Sequence, residues 1–255
     1  MNLTNNVDFL LITENKKTVR LKNNEWNGFK FGVYLLGEYT KLTVDCNKKS
    51  NKKELGHLKI RTSHLWMKSV TSTIDCSGLG FPSDSGPGMG GKARKPFCSG
   101  GGAGHGQRGS EENMVQGNGA GGPVYGEKML LKQLLCGSGG GFGFDGANGN
   151  IRYGGSGGGV IEIVVEQHLL NYGTIKANGS HGTGGWGGGG SGGSILIHLR
   201  PRPTTSPHVL GNITCKGGNQ LYSNKGGDGR IAIYGATFLP EETQKIKPRP
   251  FNSVQ

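Results

Sequence analysis

Short apolar blocks alternating with polar residues recur along this chain, and their spacing carries most of what the sequence says. Val160-Ile161-Glu162-Ile163-Val164 is followed by Thr174-Ile175-Lys176-Ala177-Asn178-Gly179, and Ser194-Ile195-Leu196-Ile197-His198 by Asn212-Ile213-Thr214-Cys215-Lys216-Gly217. An earlier copy reads His57-Leu58-Lys59-Ile60-Arg61, then Thr73-Ile74-Asp75-Cys76-Ser77-Gly78, and Arg230-Ile231-Ala232-Ile233-Tyr234 is a last half copy. Alternation of this kind predicts half-buried strands, so each copy reads as a strand, a connector, a second strand and a glycine. Ile161 lies 34 residues before Ile195, Ile195 lies 36 before Ile231, and Ile175 lies 38 before Ile213. A near-constant period of that size marks stacked repeats.

Residues two apart on a strand share a face. Leu58 and Ile60, Ile161 and Ile163, Ile195 and Ile197, and Ile231 and Ile233 therefore point inward in register. Ile74, Ile175 and Ile213 form a second inward column, with Cys76, Ala177 and Cys215 forming a third of small residues. That placement makes these two cysteines small core hydrophobes. Columns stacked one coil apart predict an all-β parallel β-helix or solenoid over residues 57–235. Residues 1–56, with alternation at Phe29 to Tyr34 and Lys41 to Cys46, form an N-terminal β cap, and residues 236–255 a C-terminal tail.

Glycine sharpens this picture. The chain has 51 glycines in 255 residues, and 38 of them fall within residues 86–193. They hold no Gly-X-Y period with proline, which excludes collagen, and the aliphatic blocks exclude a wholly disordered chain. Residues 79–159, between the first two copies, read as a long loop insertion whose repertoire includes polyglycine-like extended segments. At the corners glycine would supply positive φ angles and close backbone approach.

Charge and cysteine add softer bounds. Lys and Arg number 29 against 17 Asp and Glu, a net charge of +12. A glycan or another polyanion is thus a conceivable partner. Aromatics do not interleave with the lysine run at Lys48, Lys49, Lys52 and Lys53, which argues against nucleic acid. The five cysteines show no metal-ligand spacing. Met1 to Leu21 carries no signal-type apolar run, and no stretch reaches the ~20 apolar residues of a membrane span. The expectation is a chain without a membrane span, intracellular by default.

Little catalytic chemistry stands out. Gly86 to Ala93 approaches a phosphate loop but has no Ser or Thr after Lys92, nor a strand–helix frame. Carboxylates are sparse in the glycine-rich zone, and Glu111 and Glu112, being adjacent, face opposite ways on a strand; the paired acids of polysaccharide cleavage are not legible. No cofactor or metal is expected. In Gly104-His105-Gly106-Gln107-Arg108-Gly109 an imidazole and a guanidinium stand three apart, where an anion or acidic sugar could sit. Trp186, Tyr153, Tyr222 and Phe142 lie among glycines and could offer flat rings to sugars. His105, Arg108, Trp186, Tyr153 and Tyr222 are the candidate ligand contacts.

The order of these motifs, from Thr73 to Gly78 through Gly102 to Gly109, Gly122 to Gly126, Gly137 to Gly141, Gly173 to Gly179, Gly190 to Ile195 and Gly229 to Tyr234, resembles a broad group of glycine-rich β-helix-like proteins. Such proteins occur in plants, protists and bacteria, often as modules of large surface or adhesin-like chains. The resemblance spans roughly residues 30–235. It implies a parallel β-solenoid used as scaffold or adhesion surface, often outside the cell, and supplies no catalytic residues. The expected function is a non-catalytic structural or interaction module, part of a larger assembly, with glycine-rich loops as contact surface. A carbohydrate-binding adhesin-like module is the alternative, and a polysaccharide-active enzyme stands third.

Overall fold

β-Branched and aliphatic residues at every second position favour extended backbone, because their side chains pack well on a pleated surface. A computed structural model realises these runs as strands. It describes residues 8–12, 16–22, 28–46, 54–111, 116–146, 149–200, 207–219, 224–238 and 240–253. One sheet holds seven strands, in the spatial order β1 (Phe9–Ile12), β3 (Phe31–Leu36), β5 (His57–Met67), β9 (Val160–Asn171), β11 (Ser194–Leu199), β13 (Arg230–Tyr234) and β15 (Phe251–Ser253). A second holds six: β14 (Ile246–Lys247), β12 (Asn212–Thr214), β10 (Thr174–Lys176), β6 (Thr73–Asp75), β4 (Lys41–Asp45) and β2 (Thr18–Lys22). β7 (Gly143–Asp145) and β8 (Asn150–Arg152) make a small antiparallel hairpin, and the short helix α1 (Pro240–Thr243) completes the described elements. The protein is thus nearly all β, and every neighbour pair in the two large sheets is parallel.

Parallel neighbours need a crossover between them. Here each crossover passes through the other sheet, since the chain alternates from sheet to sheet at β1 to β6 and again at β9 to β15. The register aligns like with like. Leu58 pairs with Ile161, Ile161 with Ile195 and Ile195 with Ile231, while Ile60, Ile163, Ile197 and Ile233 form the next row. In the smaller sheet Leu42, Ile74, Ile175, Ile213 and Ile246 line up. These rows close into one apolar core that also buries Cys76, Ala177 and Cys215. The N-terminal strands β1 and β2 occupy one end of each sheet, and β14 and β15, from the segment expected as a tail, occupy the other.

The glycines build a second body at the end of the sheets where β9, β11 and β13 begin. Residues 186–193, which lead into β11, show its logic. Gly188 and Ser191 donate to Gly141 and Ser138 and accept from Gly155 and Gly158; Gly189 and Gly192 donate to Asn224 and Gly227; Gly190 and Gly193 donate to Ser180 and Ala177. Gly189 accepts from Ala103, and Gly190 from Gly218. Partners recur every third residue, the periodicity of a polyproline II-type helix with about three residues per turn. Such a helix has no internal hydrogen bonds, so its polar backbone must find partners outside itself. Residues 186–193 find them in six surrounding segments. The connectors after β10 and β12 each run out as one segment and return as another, residues 177–181 then 186–193, and 215–219 then 224–229, bonded antiparallel. Residues 79–159 add further segments to the same array, including 86–93, 99–110, 117–125, 136–143 and 153–159.

Packing of this kind explains the composition better than corner geometry does. Positive φ occurs at only ten glycines among the described residues. At most others a methyl group would strike a neighbour's backbone: a Cβ on Gly188 would lie 1.9 Å from the Gly101 oxygen, and one on Gly101 would lie 2.0 Å from that of Ala120. Ser138 and Ser191 are admitted to the bundle's interior. They fit because the Ser138 N–H donates to the Ser191 hydroxyl at 2.8 Å.

One segment of the 79–159 stretch leaves the bundle. Residues 125–136 cross the outer face of the seven-stranded sheet, where Leu130 packs with Leu196, Ala232 and Tyr234. Arg230 donates to the Tyr125 and Gly126 carbonyls, Tyr234 to Met129 and Ser194 to Leu135, fastening this strap. Leu130 has a left-handed backbone, φ 57°, but is 2% exposed, so burial of its side chain offsets the strain.

The bundle's steric closure predicts sharply position-dependent substitutions. Gly188→Ala should destabilise by at least about 3 kcal/mol, beyond ordinary core overpacking. Gly28→Ala, where nothing lies within 4 Å of the added carbon, should leave thermal unfolding within about 0.5 kcal/mol of the parent. Equal unfolding midpoints for the two variants would refute the close-packed arrangement.

Candidate functional site

The sequence-derived contacts separate to opposite ends of the bundle. His105 lies near its base, beside the start of β13, and Trp186 lies at its far tip. The six residue steps from Trp186 to Gly192 span about 19 Å at the ~3.1 Å rise of this helix type, and His105 meets the Gly192 end. Tyr222 lies outside the described residues.

His105 is fully buried. Residues 100 and 103 donate in turn to Trp186 and Gly189, so a third turn would bring the N–H of residue 106 to Gly192. The chain bends away there, and Gly106 donates to Asp228 instead. The His105 Nδ1–H takes its place, 2.8 Å from the Gly192 oxygen. Its ring stacks on Tyr125 with centroids 4.6 Å apart. Desolvation, with a smaller push from Arg230, lowers the imidazole pKa to about 4. The histidine is therefore neutral and supplies a hydrogen-bond donor that the turning backbone withholds. Its Nε2 is buried without a hydrogen-bond partner.

Outside that turn, Gly106 and Gln107 form one wall of a groove of about 470 Å³. Arg230, Lys128 from the strap, and Arg249, Phe251 and Asn252 from the chain's last described segment line the rest. Arg108, next to Gln107, is exposed and pairs with Glu111 at 3.5 Å.

At the tip, Phe97 and Trp186 approach edge to face, with centroids 6.4 Å apart. The Tyr153 carbonyl accepts from Thr183 in the turn before Trp186, and Tyr153 is 60% exposed. Phe97 is 55% exposed and Ile151 49%. Phe142, the remaining ring singled out from the sequence, packs edge-on against Phe144 at 5.2 Å, under the Lys92 ammonium. Phe97 has φ 59°, a region that a bulky side chain rarely adopts. Unlike Leu130, it gains no full burial in return.

The better-buried ionisable groups serve the sheets. Burial pushes the Asp75 carboxyl up, but Lys41 at 2.5 Å, the Ser77 N–H and Lys176 outweigh it and hold its pKa below the ordinary value. His57 foremost, then Lys59 at 2.9 Å, outweigh burial at Glu162 and keep its pKa near 2. Glu166 pairs with Lys30 and Arg200. Burial raises the thiols of Cys76 and Cys215 well above the ordinary range, and that of Cys136 to about 12.

Sequence reasoning located the His105–Arg108 turn but missed Lys128, Arg230 and Arg249, which only the strap and the last strands bring beside it. Phe97 was missed as well, since nothing in its neighbourhood distinguishes it from a loop residue. The chain matches no protein-family model, no curated protein and no solved structure.

His105 gives a pH signature. The unfolded chain binds its proton near pH 6.5 while the folded protein refuses it until about pH 4, so stability falls as pH drops through that window. His105→Asn keeps a donor for Gly192 and removes the titration. Relative to it, the parent should lose on the order of 3 kcal/mol between pH 6.5 and 4. Parallel stability curves from urea unfolding across that range would exclude a buried neutral imidazole.

Proposed function

We infer that this chain is a non-catalytic interaction module: a β-solenoid scaffold whose glycine bundle holds a contact surface away from the sheets. Successive crossings between two in-register parallel sheets favour the solenoid reading, and the bundle is then a set of out-and-back excursions from its coils. The observation that carries the functional reading is the tip. Phe97, on a turn, and Ile151 and Tyr153, in and just after β8, expose apolar surface beside a closely bonded array, and Phe97 does so from a strained backbone. Strain retained without burial is a recurrent mark of functional positions, and exposed apolar clusters mark contact sites. The ion-paired carboxylates and inert thiols described above support a scaffold over an enzyme.

Exposed rings also favour the carbohydrate-binding alternative, because Tyr and Phe faces stack on sugar rings.

A photo-crosslinking residue in place of Tyr153 should give a defined adduct with another polypeptide in the native source. The same residue in place of Val70, 77% exposed beyond the far end of β5, should not. A chain that purifies alone and forms no adduct from position 153 would defeat the assembly reading. A glycan array whose signal disappears in Phe97→Ser/Tyr153→Ser would favour the sugar reading in its place.

A further inference from the structure

The groove at the base of the bundle is distinct from the tip, and its chemistry is more specific. Elsewhere on the described surface several cations stand against carboxylates: Lys41 and Lys176 against Asp75, Lys59 against Glu162, Lys30 and Arg200 against Glu166, and Arg152 against Asp145. Lys128, Arg230 and Arg249 converge on one concavity without such a partner among the described residues. Two carboxylates lie close by, and both are engaged. Glu127 accepts from the Lys132 and Gln133 N–H groups, and Asp228 accepts from the Gly217 N–H at 3.0 Å.

Arg230 is the fixed point. A guanidinium has five N–H donors, and here Nε and Nη2 donate to the Tyr125 and Gly126 carbonyls. Those bonds hold the group in place and leave Nη1 for a ligand. Arg230 is partly desolvated, and a cation taken from water without a counter-charge is costly until an anion joins it. Gln107 and Asn252 add side-chain amides that can bond hydroxyls, while Pro248, Pro250 and Phe251 supply apolar surface for the C–H face of a ring.

We propose that this groove binds an acidic oligosaccharide, its sulfate or carboxylate groups held by Lys128, Arg230 and Arg249. Nucleic acid fits less well. Single-strand binders present successive open aromatic faces, whereas the groove's one ring, Phe251, is partly buried and packed toward Tyr234 at 6.0 Å. The proposal does not depend on the tip.

Calorimetric titration of the full chain with four probes tests it: a fully sulfated tetrasaccharide, tetragalacturonate, cellotetraose and octathymidylate. At least one acidic tetrasaccharide should bind, more weakly as salt rises, and cellotetraose should not; comparing the two acidic probes tells sulfate from carboxylate. Lys128→Ser/Arg249→Ser, both exposed positions, should keep the parent's circular dichroism and lose at least tenfold in affinity. Lys92→Ser/Lys95→Ser and Phe97→Ser/Tyr153→Ser should bind as the parent does. Absence of binding by both acidic probes, binding that the groove variant leaves unchanged, or tighter binding of octathymidylate would each overturn the proposal.

Discussion

Chains in the glycine bundle lie so close together that a single methyl group on most of them would collide with a neighbour's carbonyl, and the molecule is organised around that spacing. Glycine costs about 0.5–1 kcal/mol relative to alanine in ordered backbone and brings no apolar side chain to bury. The compensation is close contact. Most N–H groups meet a carbonyl of another segment, and the short separations add Cα–H to oxygen contacts and dispersion. None of this is available to one such segment alone, since an isolated polyproline II-type helix leaves its backbone to water. The sheets supply the missing condition: their strands fix the ends of the excursions at regular intervals, so that the segments arrive already side by side.

The same dependence explains the irregular features. Where the segment through His105 must turn, the lattice lacks one donor, and an imidazole kept neutral by burial provides it. Where the strap leaves the bundle, Arg230 and Tyr234 reach from β13 to satisfy carbonyls that no neighbouring segment covers. Arg230 therefore joins the sheet to the strap and faces the groove, which couples the order of that surface to the packing beneath it.

How much of this was legible in the sequence depends on side-chain information. The rows Leu58, Ile161, Ile195, Ile231 and Ile74, Ile175, Ile213 were readable because a strand's period of two is written in alternating polarity. The bundle has a period of three, and a run such as Gly187 to Gly190 writes no period at all, so residues 79–159 looked like loop. The burial of His105 was hidden for the same reason: the carbonyl it bonds belongs to Gly192, about 90 residues away, and the ring it stacks on to Tyr125 of the strap. The groove was illegible because it joins the 106–107 turn to Lys128 and Arg249, residues that only the tertiary path brings together.

A structure held by backbone spacing also divides its positions unequally with respect to change. In the bundle's interior glycine has no close substitute, as at Gly188, Gly101 and Gly141, where any side chain meets a fixed carbonyl. The exposed side chains of the tip and of the groove's rim, such as Phe97, Tyr153, Lys128 and Arg249, carry no such restriction. Sequence variation is thus steered outward, and new recognition surfaces can be tried on an unchanging frame.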